Sequence, residues 1–164
     1  MFQAPADAMA FSLRASKLFL HRIVEGMKPE ELLAQPLPEL NSIAWMFGHL
    51  ALVDRRQLKW LGVTELPALP EGFEARFKTT GTAAVAQSDL GEPSETLAMF
   101  DTHRDALIAA LPSIDPSFFA QPTEVIRPWF ADKGEATLFM GLHTMLHVGQ
   151  ISAVRRALGY APLL

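Results

Sequence analysis

The sequence contains no cysteine. Disulfides, zinc ribbons, CxxC redox pairs and any thiol nucleophile of the chain's own are therefore excluded, and a bound metal would have to use His, Asp or Glu. There is no run of Lys or Arg, and 14 basic against 18 acidic residues leave a formal charge of −4. A protein that neutralises phosphates needs a basic patch, so nucleic acid is not an expected partner. No run of eighteen apolar residues occurs, and the opening stretch MFQAPADAMAFSLRAS lacks the basic flank and long apolar run of a signal peptide. No membrane partner is expected, and a cytoplasmic location is. Alternation of apolar and polar residues is also missing, so no stretch reads as a sheet strand.

What is present is helical periodicity. About half of the 164 residues are apolar, enough for one real core, and residues 1–164 are expected to form a single domain. Met9, Leu13, Leu20, Val24 and Met27 recur at helical spacing and predict a first long helix over 6–26. A short helical piece, PEELLAQP, follows. Asn41 or Ser42 can cap a second long helix, SIAWMFGHLALVDRRQLKW, which stops near Gly62. Pro93, Ser94 and Glu95 signal the start of a third, with Leu97, Phe100, Leu107 and Leu111 on its inner stripe and Pro112 at its end. The fourth reads ATLFMGLHTMLHVGQISAVRRAL, with Arg155 and Arg156 favouring its negative C-terminal end and Gly159 suited to a left-handed cap. The fold class expected is all-α, a four-helix bundle. Residues 61–93 are too long for a tight turn and carry Phe73, Phe77 and Val85 to pack with. A helix of ~20 residues spans ~30 Å, and this link can run back that far, giving a long crossover between helices two and three and an up-down-down-up order. Residues 112–135 place aromatics between prolines and are expected to fold over one end of the bundle as a lid.

Two of the five histidines, His143 and His147, lie four residues apart, one turn apart on one helix face, with Cβ atoms ~5–6 Å from each other. Phe139, Met140, Leu146, Ile151 and Val154 are read as lining that same side, so the imidazoles should face the interior, where unpaired polar atoms are costly. His49 shares the apolar stripe of Trp45, Met46, Leu52 and Val53. If helices two and four are antiparallel neighbours, His49 and His147 each stand eleven residues from the same end, ~16 Å along the axis, and the three rings come within reach of one ion. The alternative is a set of core histidines bonded to carbonyls or waters. Three imidazoles with an open fourth position suit a catalytic site, because structural zinc has its four positions filled by protein. His21 falls just off the inner stripe and reads as a surface residue. His103 could be a distal fourth ligand, a proton carrier or a boundary residue, and the last is preferred.

Several chemistries are disfavoured by residue type. The zinc-protease pattern needs Glu after its first histidine, where Thr144 stands here. Di-iron bundles need Glu three residues before each His, and Met46, Met140 and Thr144 occupy those places. One ion is expected. There is no GxSxG elbow and no phosphate-cradling glycine loop.

The stretches LNSIAWMFGHLALVD and HTMLHVGQISAVRRALG resemble the DinB-like family of metal-binding four-helix bundles, and the similarity spans the chain. The resemblance implies the up-down-down-up bundle and a triad of one histidine from helix two and two from helix four, here His49, His143 and His147. It also implies homodimers. The position before Gly149, often basic in the family, is Val148 here. Some relatives are transferases or isomerases that use a low-molecular-weight thiol, others resemble metal-dependent hydrolases, and family membership alone does not choose between them.

The reading preferred is an enzyme that uses one divalent ion, zinc or nickel first and manganese or iron as alternatives, to activate an external thiol for transfer to an electrophilic small molecule. The open position could instead hold water for hydrolysis, or the chain could be a non-catalytic dimeric metal-binding module. No carboxylate is read beside the histidines to act as base, which favours thiol transfer over hydrolysis. Gln150, three residues after His147, is a candidate substrate-orienting amide or a satisfied boundary residue. Arg56, seven residues beyond His49, is a candidate contact for an anionic cosubstrate or a snorkelling surface arginine.

Overall fold

The computed structural model describes residues 4–78, 89–123 and 129–163. Among them no strand occurs, only one isolated bridge between Pro122 and Asp132. The regular elements of the described residues are helical: α1 (Pro5–Val24), α2 (Pro29–Leu33), α3 (Ile43–Trp60), α4 (Phe73–Phe77), α5 (Pro93–Ala110), α6 (Pro116–Phe119) and α7 (Lys133–Ala157). The long ones, α1, α3, α5 and α7, correspond to the four expected helices. Local chemistry fixes their ends. Ser42 Oγ accepts from Trp45 N–H at 3.3 Å and opens α3, as expected of that residue. Pro93 occupies the first turn of α5, where its missing N–H costs nothing. Helix α7 begins at Lys133, three residues before the expected start, because Asp132 caps it: its carboxylate accepts from Glu135 N–H while Glu135 Oε2 accepts from Ala131 N–H. Gly159 takes φ 91° just past the other end.

The core divides into two apolar clusters along the helix axes. One gathers Leu20 and Ile23 of α1, Phe47 and Leu50 of α3, Phe100 of α5 and Ile151 of α7. The other gathers Leu13 of α1, Leu58 of α3, Leu107 of α5 and Met140 of α7. Fully burying a side chain of this size contributes about 1.5–3 kcal/mol, so these layers supply the main drive to fold. Phe73 and Phe77 on α4 pack into the first cluster, so the long link does return to the bundle. Val85 lies outside the described residues. Of the segment expected to act as a lid, α6 packs Phe119 into the second cluster and sets Phe118 edge-on to Trp60 at 5.8 Å, so this part covers the end where α3 finishes.

Between the two clusters lies a buried polar layer that the apolar pattern does not announce. Arg104, fully buried on α5, donates to both carboxylate oxygens of Asp54 on α3 at 2.7 and 3.1 Å. It also donates to Ser16 Oγ and the Leu13 carbonyl of α1 at 2.9 and 3.4 Å, and to Thr144 Oγ1 of α7 at 2.8 Å. One guanidinium thus ties all four long helices at mid-height. Its fork geometry is what a carboxylate, a hydroxyl and a carbonyl arranged around one plane require, and a lysine could not reproduce it. Burial pushes the Asp54 carboxyl up, while the Arg104 charge pulls it down, and the two-pronged pairing is that of an ion pair.

Two further expectations are corrected. Leu146 does not line the inner side of α7: it is 61% exposed. The centre line of that helix runs instead through Thr137, Thr144 and Ile151, all at 0% exposure and spaced by seven. His103 is no boundary residue either. It is fully buried, with Nδ1 2.8 Å from the Met99 carbonyl and Nε2 without a hydrogen-bond partner.

Helices α1 and α7 approach closely at Gly141, where an added Cβ would stand 2.0 Å from Ser12 Oγ and 2.9 Å from the Ser12 backbone. The hydroxyl could turn away, but the backbone could not. Gly141→Ala is therefore expected to destabilise the fold by about 1–3 kcal/mol. Gly149, on the same helix with nothing within 4 Å of an added Cβ, is the contrast: Gly149→Ala should be neutral or stabilising by up to about 1 kcal/mol. Urea unfolding midpoints of the two variants check both signs.

Candidate metal centre

His49 comes from the middle of α3 and His143 and His147 from successive turns of α7. One ring nitrogen from each lies within 4.8 Å of the other two. The ring centroids are 5.4 Å (His49 to His143), 5.2 Å (His49 to His147) and 4.8 Å (His143 to His147) apart. Packing fixes the rings. Trp45, one turn before His49, stacks on it at 5.0 Å with planes 6° apart, and Phe139 lies against His143 at 6.2 Å. His49 is buried, whereas His143 and His147 are half-buried, so the cluster sits on the α3–α7 seam rather than on the bundle axis. The axis position between the two histidines belongs to Thr144, the residue held by Arg104.

The electrostatics favour neutral imidazoles. Burial, with the nearby His147, His143 and Arg56, pushes His49 down to about 3. Burial, with His147, Arg104 and Arg56, brings His143 to about 4. Burial also lowers His147, against the opposing effect of the Gln150 side chain. At neutral pH each ring therefore keeps a free lone pair, the state in which histidine binds metals. His147 Nδ1 is buried and has no hydrogen-bond partner, a costly arrangement for a polar atom unless a ligand satisfies it. This donor set, three neutral nitrogens and no carboxylate among the described residues of the cluster, fits zinc, nickel and related divalent ions.

The remaining candidates fall nearby in different ways. Gln150 is half-buried beside His147. Arg56 is exposed at the rim of a cavity of ≈ 480 Å³ that opens onto His49 and His143. His21 is away from the cluster, 2.7 Å from Asp101 across the α1–α5 contact. His103 is not part of the histidine group and holds to the Met99 carbonyl of its own helix. What the sequence reading missed is the support behind the triad, Arg104 and Asp54.

The DinB superfamily profile matches residues 14–151, a span that includes all three histidines. This chain belongs to the DinB superfamily. No curated protein and no solved structure matches it. In this DinB protein, Val148, at the position often basic in the relatives it resembles, is 5% exposed and packs in the first apolar cluster.

Proposed function

We propose that this DinB protein is a metal-dependent enzyme in which His49, His143 and His147 hold one divalent ion, zinc or nickel before manganese or iron, and an external low-molecular-weight thiol is activated for transfer to an electrophilic small molecule. The single observation that carries the reading is the convergence of three neutral imidazoles beside an open cavity. When bound, the ion would lower the pKa of a thiol at its open position and leave it a thiolate at neutral pH. The chain's own part is to keep the imidazoles unprotonated, to bring positive charge from Arg56 toward the incoming anion, and to line the approach with apolar side chains. Because the sequence holds no cysteine, the sulfur must come from outside. A cytoplasmic setting, where such thiols are kept reduced, belongs to the same proposal. No helix among the described residues is long and apolar enough to cross a membrane.

The architecture proposed is one domain over 1–164 in up-down-down-up order. Contacts along α1 and α5 run in opposite senses, His21 meeting Asp101 and Lys17 meeting Asp105. Those along α1 and α7 rise together, from Ser12 against Gly141 to the Glu25 carbonyl accepting from Arg155. Along α3 and α7 they run oppositely, from His49 beside His147 to Gln57 donating to Thr137 at 2.9 Å. These senses support a crossover between like-directed α3 and α5.

A homodimer is proposed through the outer faces of α1 and α7. Phe11 and Leu18 on α1 are 56% and 68% exposed, and Leu142 and Leu146 on α7 are 54% and 61%. Adjacent helices presenting large apolar side chains side by side form the kind of patch that marks an association surface. Leu18→Glu with Leu142→Glu should shift the species seen by analytical ultracentrifugation from dimer to monomer; a monomeric wild type would contradict the proposal.

The function is tested by metal analysis of the purified protein together with two assays. Conjugation of a small thiol to a chlorinated nitroaromatic should depend on the ion, which should be present at close to one per chain. Ester or amide hydrolysis without thiol consumption would instead support a hydrolase, and activity in neither assay a binding module.

A further inference from the structure

We infer that the substrate of this site is an elongated, largely apolar molecule carrying an anionic group, and that Arg56 is the residue that selects the anion. The inference rests on the triad being the reaction centre and names what approaches it. A second cavity, of ≈ 430 Å³, lies next to the one that opens onto His49 and His143. The two share Val53, Arg56 and Met140 among their lining residues and so adjoin along the α3–α7 seam, and we take them as one trough. Its far end reaches Trp60, eleven residues beyond His49, or ~16 Å along the helix axis.

The walls define the chemistry. At the triad end Trp129, Phe130 and Phe139 face the opening, and at the other end Trp60 and Ala136 do. Against this apolar lining Arg56 is the cation common to both halves, and no carboxylate lines either of them among the described residues. A guanidinium over an apolar trough contributes charge-assisted hydrogen bonds to a carboxylate, sulfonate or phosphate, and offers nothing comparable to a neutral or cationic group of the same shape. Arg56 lines the same cavity as His49 and His143, so an anion held by it stands beside the triad. The hydrogen-bonded Gln57–Thr137 pair lies on the same α3–α7 seam, and Gln57 forms part of the second cavity. The ligand class that fits is an aryl or alkyl chain with one oxyanion set partway along it. An apolar body without charge, or a small anion without the body, would engage only half of what the trough presents.

The experiment is a calorimetric titration of 4-phenylbutyrate, 4-phenylbutanol, 4-phenylbutylamine and acetate into the protein as purified and after chelator treatment. The variants are Arg56→Gln and Arg56→Lys; because Arg56 is exposed, neither threatens the fold. Phenylbutyrate should bind about tenfold more tightly than phenylbutanol, the fold-change expected of one charge-assisted contact, with the amine and acetate weaker still. Arg56→Gln should abolish that preference, Arg56→Lys should retain most of it, and chelation should leave it in place. Equal binding of acid and alcohol by the wild type would overturn the inference, as would a preference that survives Arg56→Gln. A preference lost on chelation but indifferent to Arg56 would put the anion on the ion, overturning the role of Arg56 while leaving the metal reading intact. Protein that carries no metal yet shows the Arg56-dependent preference would fail the metal reading alone.

Discussion

Arg104→Met is expected to cost about 3–5 kcal/mol of folding stability, the loss that follows when one partner of a buried ion pair is removed and the other is left uncompensated. The Asp54 carboxylate is fully buried, Arg104 is the only cation that bonds to it among the described residues, and burial disfavours the charged form of the neighbouring His103 ring. The same change leaves Ser16, Thr144 and the Leu13 carbonyl without the donor that joins them. A domain of this size has roughly 5–15 kcal/mol in total, so the variant should unfold at much lower urea. The Asp54→Leu, Arg104→Met double variant should recover most of the loss, since replacing both charges by apolar groups removes the uncompensated carboxylate. A single variant within about 1 kcal/mol of the wild type would contradict the layer's role, that being no more than an exposed pair contributes.

His147→Ala is expected to weaken divalent metal binding by more than about 100-fold, beyond what removal of an outer-shell partner costs. The metal-free fold should hardly notice, because the substitution deletes a buried Nδ1 that has no hydrogen-bond partner and a ring that is only half-buried. Melting curves should therefore nearly coincide for chelated wild type and variant. Added zinc at about 1,000 times its Kd should stabilise the wild type by ~4 kcal/mol and leave the variant unmoved. Loss of the fold together with the ion would make the metal a structural element; an unchanged affinity would remove His147 from the site.

The helices, the Ser42 cap and the packing of the long link through Phe73 and Phe77 were legible because each rests on a local signal: a period, a capping side chain, or paired aromatics. The triad was legible as a spacing of four on one helix and a matching height on another. The misplacement of Leu146 has a physical origin. Helix α7 packs against both α1 and α3, and its centre line passes through Thr137, Gly141 and Thr144, residues whose polarity or lack of side chain hides them from an apolar pattern. The polar layer did leave a trace. Arg104 stands four residues after Phe100 and three before Leu107, and Asp54 stands between Leu50 and Leu58 at steps of four, so each charge interrupts a buried stripe. Two opposite charges doing this on neighbouring helices is a readable sign of a buried pair. The Asp132 and Glu135 pair that opens α7 was readable in the same way, three residues apart before an apolar run. The full burial of His103 was not, because its ring is held by a carbonyl on its own helix, which leaves no mark on composition.

The most direct test is X-ray absorption at the metal edge on purified protein, with and without added thiol. The account predicts imidazole scattering from three nitrogens at about 2.0–2.1 Å, joined by a sulfur at about 2.3 Å when the thiol is present. A shell of oxygens without imidazole scattering, or a spectrum that His147→Ala leaves unaltered, would contradict it.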